Sequence, residues 1–215
     1  MLKVYQMSIR PLLDEDVFTK QLELVQKQRR AKVLRFKYQE DRCRSLAVGL
    51  LIRNGLQQEG IQYDVLQIEE TERGKPYCPG SGIFFNCSHS GDFVVAAFCT
   101  QEVGIDIECP NDRFQKESRI HSIAKRAFTE EERLLLEGLE EQERVMEFLR
   151  IWTKKESYAK TVGLGLGMEF SQIDTLRMGN YHKKVFEDEF KDAYVISICT
   201  MQKEEEPVFQ FIESD

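Results

Sequence analysis

One stretch constrains this fold more than any other: EQERVMEFLRIWTKKESYAK, residues 141–160. Val145, Phe148, Leu149 and Trp152 recur at i, i+3, i+4 and i+7, which is the core face of an amphipathic helix. The same face continues to Lys155, Glu156 and Ala159, so an ammonium and a carboxylate stand where Leu or Val would be expected. An unpaired buried ion costs on the order of several kcal/mol. Glu156 therefore either faces a polar cleft or meets a cation, such as a buried Lys or Arg.

The rest of the chain alternates between helical and strand patterns without a strict βαβ order. VYQMSI reads as a first strand. Residues 16–36 read as one helix with a basic second half, and 39–60 as another that ends near Gly60. VLQIEE (65–70) alternates as a strand, RGKPYCPGSG is a loop, and IFFNCSHSG is a strand running into a turn. FVVAAFCT and VGIDIE read as two strands of a hairpin. RIHSIAKRAF and TEEERLLLEGL are helical, while KKVFED, AYVISICT and PVFQFI are strands. Helices beside mostly antiparallel strands make the class α+β, with a boundary near residues 100–110.

The totals exclude several classes. A net charge of −7 over 215 residues argues against a general nucleic-acid binder. No apolar run reaches the ~20 residues of a membrane span, and MLKVYQMSIRPLLDED lacks the apolar segment of a secretory signal, so the expected compartment is the cytoplasm. The six cysteines form no CxxC pair and no zinc spacing, and read as reduced, mostly buried thiols.

In VGIDIE, strand alternation puts Val103, Ile105 and Ile107 on one face and Gly104, Asp106 and Glu108 on the other. Two carboxylates two residues apart either sit on a solvated strand face or share a hard divalent cation such as Mg²⁺. Glu156 is a natural third acid for such a cluster. Cationic and hydroxyl groups gather earlier in the chain. Gly74 and Gly91 flank turns, and Lys75, Ser88 and His89 are usable phosphate donors, although His89 could equally be a structural histidine. Arg29, Arg30, Lys32, Arg35 and Lys37 form a basic run, read either as a solvated helix face or as part of an anion site.

Taken together, FKYQEDRCRSLAVGLLIR, RGKPY, FNCSHSGDFVVAAF, VGIDIE, FTEEE and WTKKESYAKTVGLGL resemble the 4′-phosphopantetheinyl transferases of the Sfp-type (surfactin and enterobactin-like) branch, in order and spacing over residues 29–166. The resemblance implies two similar α+β halves in one chain, a pseudo-dimer with the ligand cleft between them. Residues 1–102 would bind coenzyme A, and 103–215 would carry Mg²⁺ and the catalytic residues. It implies transfer of phosphopantetheine from coenzyme A to a serine of an apo acyl or peptidyl carrier protein, releasing adenosine 3′,5′-bisphosphate. Asp106, Glu108 and Glu156 would bind Mg²⁺, Glu156 would also be the base for the serine hydroxyl, and Lys160 would contact the phosphate with Lys155 beside it. Arg29, Lys32, Arg44, Ser45, Lys75, Pro76, Ser88 and His89 would hold the coenzyme. A monomer is expected, with no nucleic-acid or membrane partner. The rival readings are a coenzyme A or nucleotide-binding protein without transfer, and a Mg²⁺-dependent phosphohydrolase. Lys116, Arg119, Lys125 and Arg126 are candidates for docking an acidic carrier, against the plainer reading of a solvated helix face.

Overall fold

The computed structural model describes residues 1–63, 68–72, 74–110, 117–163, 167–189, 192–202 and 206–213. The chain forms two compact units, Met1–Gln101 with Glu205–Asp215, and Glu102–Glu204.

In the first unit, β1 (Lys3–Ser8) is followed by α1 (Glu15–Leu22), α2 (Lys27–Leu34) and the long α3 (Gln39–Gln58). A two-residue ladder follows, β2 (Glu69–Glu70) with β3 (Pro76–Tyr77), and then β4 (Phe84–Ser90) and β5 (Phe93–Cys99). The main sheet runs β4-β5-β1-β9, where β9 is Val208–Phe211. All seven residues of β5 are buried, as suits an interior strand with neighbours on both edges. Helix α3 lies so close to this sheet that a Cβ on Gly55 would come 2.2 Å from the Phe98 ring. Phe98 in turn stacks on Phe85 at 5.5 Å and meets Tyr5 edge-on at 5.6 Å. Each such buried aromatic contributes roughly 1.5–3 kcal/mol.

The second unit shares the order of one strand, three helices and a hairpin, without a counterpart of the β2–β3 ladder or of β9 among the described residues. β6 (Val103–Glu108) is followed by α4 (Glu117–Ala127), α5 (Glu130–Glu137) and the long α6 (Glu141–Val162), and then by the hairpin β7 (Tyr181–Glu187) and β8 (Ala193–Thr200). In both units the second strand of the hairpin pairs antiparallel with the unit's first strand: β5 with β1, and β8 with β6. Phe128 stacks on Phe148 of α6 at 5.2 Å, and Phe148 on Trp152 of the same helix at 6.3 Å.

Three local expectations change. FVVAAFCT and VGIDIE do not form a hairpin, because β4 and β1 already occupy both edges of β5 and β6 pairs with β8. The helix expected over 16–36 is two helices, since the intervening turn sends Val25 into the core. The last strand, counted above with 103–215, instead extends the first unit by pairing parallel with β1 (Tyr5 opposite Gln210). Of the strand expected over 65–70, residues 65–67 lie outside the described residues, and β2 covers its end.

Candidate active site

The site is built where α6 crosses β6. A Cβ on Gly104 would stand 2.0 Å from the Ser157 carbonyl oxygen and 2.6 Å from the Thr161 amide nitrogen, so only glycine allows this approach. Alternation places Asp106 and Glu108 on the same face of β6 as Gly104, the face toward α6. Hydroxyls lock the contact. The one Thr161 hydroxyl proton is shared between the carbonyls of Ser157 (2.8 Å) and Cys199 (3.0 Å), and Thr153 bonds Ser197 at 2.7 Å. Ser197 lies opposite Asp106 in the ladder.

With the helix so seated, Lys160 reaches the strand. Its ammonium donates to Asp106 Oδ1 at 2.6 Å and to the Ile105 carbonyl at 3.0 Å. Asp106 is almost fully buried, whereas Lys160 keeps part of its side chain in solvent. Glu156 is half-buried one helical turn earlier, and Glu108 is half-buried at the end of β6. Among the described residues, no three Asp, Glu, His or Cys side chains gather closely enough to hold a metal ion.

The charge that enters the core is Lys155, not Glu156. Lys155 and Glu132 are both 0% exposed and pair at 2.8 Å. The ammonium also donates to the carbonyls of Phe170 and Ile173 and lies over the Phe128 ring. Glu132 accepts from the Thr175 amide (3.0 Å) and hydroxyl (2.7 Å) and from the Thr129 amide (2.9 Å). Burial pushes the Lys155 pKa down, and Glu132 opposes that shift. Lys155, expected to touch the coenzyme, is thus enclosed and spends all three donors inside the protein. Glu132 and Thr175 were not anticipated. The available signal was TEEE, whose Thr129 and Glu132 form a reciprocal capping box at the start of α5.

In the first unit, α2 and the β2–β3 ladder line a cavity of about 930 Å³ whose walls include Arg29, Lys32 and Pro76. Arg29 packs over Gly49, and Lys32 pairs with Glu70 at 2.8 Å on the exposed rim. The other expected coenzyme residues of this unit are not in that lining. Arg44 binds the Gly91 carbonyl (2.9 Å) and Asp41 (2.8 Å), tying α3 to the β4–β5 turn. Ser45 is buried on α3, and Lys75 is half-buried. Ser88 and His89 are successive residues of β4 and so point to opposite faces, with His89 exposed. Arg119, Lys125 and Arg126 are exposed on α4, while Lys116 lies outside the described residues.

Comparison with known proteins adds to this geometry. Residues 102–206 match the family model described as 4′-phosphopantetheinyl transferase superfamily, and residues 11–101 match the one described as 4′-phosphopantetheinyl transferase, N-terminal. The chain is 31% identical over 200 residues to the 4′-phosphopantetheinyl transferase gsp of Aneurinibacillus migulanus, covering 88% of this chain and 81% of that protein. The chain belongs to the 4′-phosphopantetheinyl transferase superfamily. It is also 32% identical over 191 residues to a 4′-phosphopantetheinyl transferase of Bacillus subtilis, covering 86% and 80% of the two chains. With Sfp of Bacillus subtilis (strain 168) it shares 31% over 170 residues, covering 78% and 73%. In this transferase the two family matches meet at residues 101 and 102, where the first compact unit gives way to the second. No helix among the described residues is long and apolar enough to cross a membrane.

Proposed function

We propose that this protein transfers the 4′-phosphopantetheine group from coenzyme A to a serine of an apo acyl or peptidyl carrier protein, in a Mg²⁺-dependent reaction in the cytoplasm. The observation that carries this reading is the Lys160–Asp106 contact, set between β6 and α6 within the segment that matches the superfamily. The serine Oγ attacks the phosphorus of the pantetheine-bearing phosphate. An Oγ–P bond forms, and the bond to the pyrophosphate bridging oxygen breaks. Adenosine 3′,5′-bisphosphate leaves with that electron pair. Glu156 takes the serine proton, directly or through one water, because a hydroxyl is a poor nucleophile at neutral pH. Lys160 stabilises the negative charge that grows on the phosphate oxygens.

Asp106, Glu108 and Glu156 would hold Mg²⁺. The fit is one of donor chemistry alone: all three offer carboxylate oxygens, two of them on one face of β6, while as placed here they do not converge on one point and Lys160 takes Asp106 Oδ1. When bound there, Mg²⁺ would neutralise charge on the pyrophosphate. Arg29, Lys32 and Pro76, around the 930 Å³ cavity, and Arg44, Ser45, Lys75, Ser88 and His89 are assigned to coenzyme A. We assign the exposed cations of α4 to the acidic carrier, and expect a monomer.

Intact-protein mass spectrometry of an apo carrier incubated with the protein, coenzyme A and Mg²⁺ tests the reaction. The expected result is a gain of one phosphopantetheine mass, abolished by EDTA. No gain on any of several carriers, while coenzyme A still binds, would overturn it in favour of a binding protein without transfer.

A further inference from the structure

The buried Lys155–Glu132 pair is more elaborate than stability requires. Well-packed apolar residues in place of a buried ion pair are often equally or more stabilising. Here every donor of the ammonium is used, on Glu132 and on two carbonyls of the 170–173 segment. Glu132 is itself fixed by Thr129 and Thr175. Such bonds are directional and specify one rotation of a helix, whereas apolar contacts tolerate a small roll.

The position of Lys155 on α6 gives that rotation a consequence. At ~100° per residue, Thr153, Ser157 and Thr161 lie ~160–240° around the helix from Lys155, and Glu156 and Lys160 fall between, at ~100–140°. The first row is fixed against β6 and β8 through Gly104, Ser197 and Cys199. Lys155 fixes the opposite flank through α5 and the 170–175 segment. A roll of ~20° would move a side-chain tip ~2 Å at a helix radius of ~5–6 Å. A misplacement of ~1 Å can cost ~100-fold in rate.

We infer that Lys155 and Glu132 are a positioning pair, which sets the rotation of α6 so that Glu156 and Lys160 are presented together to the reacting phosphate. Neither residue touches substrate; both act through the residues beside them on the helix. This inference rests on the transferase reading above.

The test compares wild type, the apolar double variant E132L/K155M and the isosteric single variant E132Q. Melting temperature, coenzyme A affinity by calorimetry, and kcat and KM for transfer to an apo acyl carrier protein are measured for each. The double variant is expected to fold with a near wild-type melting temperature and unchanged coenzyme A affinity. Its kcat should be lower by about tenfold or more, with little change in KM. If it does not fold, E132Q decides, since it keeps the side-chain shape and an acceptor for Thr175 and should show the same kcat loss at constant KM. A folded variant that transfers at the wild-type kcat overturns the positioning role, because a purely structural pair would affect melting alone. An inactive wild type would instead overturn the transferase reading on which the inference stands.

Discussion

Gly104 on β6 and Ser157 on α6 approach so closely that a methyl group at the glycine would stand 2.0 Å from the serine carbonyl oxygen. The obstruction is backbone, which no rotamer change relieves. Gly104→Ala should therefore cost about 3 kcal/mol, the upper end of ordinary overpacking, and separate Lys160 from Asp106. Urea denaturation followed by circular dichroism measures the first effect, and a carrier-labelling assay the second. A variant as stable and active as wild type would show that α6 does not need this contact.

Removing either member of the Lys160–Asp106 pair should disable transfer without unfolding the chain. Lys160 is partly in solvent, and Lys160→Ala leaves Asp106 open to water or a cation. Its kcat should fall on the order of 100-fold, as when one stabilising donor is lost. Asp106→Asn should fall similarly and shift the Mg²⁺ concentration needed for half-maximal rate upward. Titration of Mg²⁺ at saturating coenzyme A separates the two.

Glu156→Gln keeps the shape of the side chain but cannot accept the serine proton. Transfer should drop by about 100-fold or more, and the metal dependence of the remaining rate should weaken. Intact transfer with unchanged metal dependence would sink the assignment of Glu156.

Charge reversal on α4 addresses the carrier. Arg119→Glu with Arg126→Glu replaces two exposed cations. The KM for an acidic carrier should rise about tenfold, with coenzyme A affinity unchanged and the effect fading at high salt. An unchanged KM removes this helix face from the docking surface.

Two thiols predict a pH dependence. Burial pushes Cys43 and Cys199 from the ordinary 9.0 to about 11. A folded pKa above the unfolded one means that the folded state keeps its proton longer. The stabilisation is complete below pH 9 and is lost as pH rises through about 11. Denaturation midpoints should decline across that window. Near neutral pH both thiols should resist iodoacetamide in the folded protein and react at once in urea.

What could be read from the chain was what repeats locally. The alternation of VGIDIE put Asp106 beside Gly104 on one face, and the helical spacing of 145–160 located α6 and its break in polarity. That spacing could not separate Lys155 from Glu156. The two are about 100° apart, and which of them turns inward depends on Glu132, a partner on another helix. Strand partners were equally hidden. FVVAAFCT and VGIDIE are neighbours in sequence, but β5 finds β1 across some ninety residues because a ladder's register is a long-range property. The cations of 29–37 were visible as a run, but only folding set Arg29 and Lys32 around the same cavity as Pro76.

The pairing of β9 with β1 bears on the order in which the molecule is assembled during synthesis. The first unit's four-stranded sheet cannot be completed from its own first hundred residues, because Val208–Phe211 supply the fourth strand. The segment from Glu102 to Glu204 is made in between and is contiguous. On a growing chain the second unit can therefore close before the first is finished, and until then β1 presents an open edge with its hydrogen-bonding groups unmet.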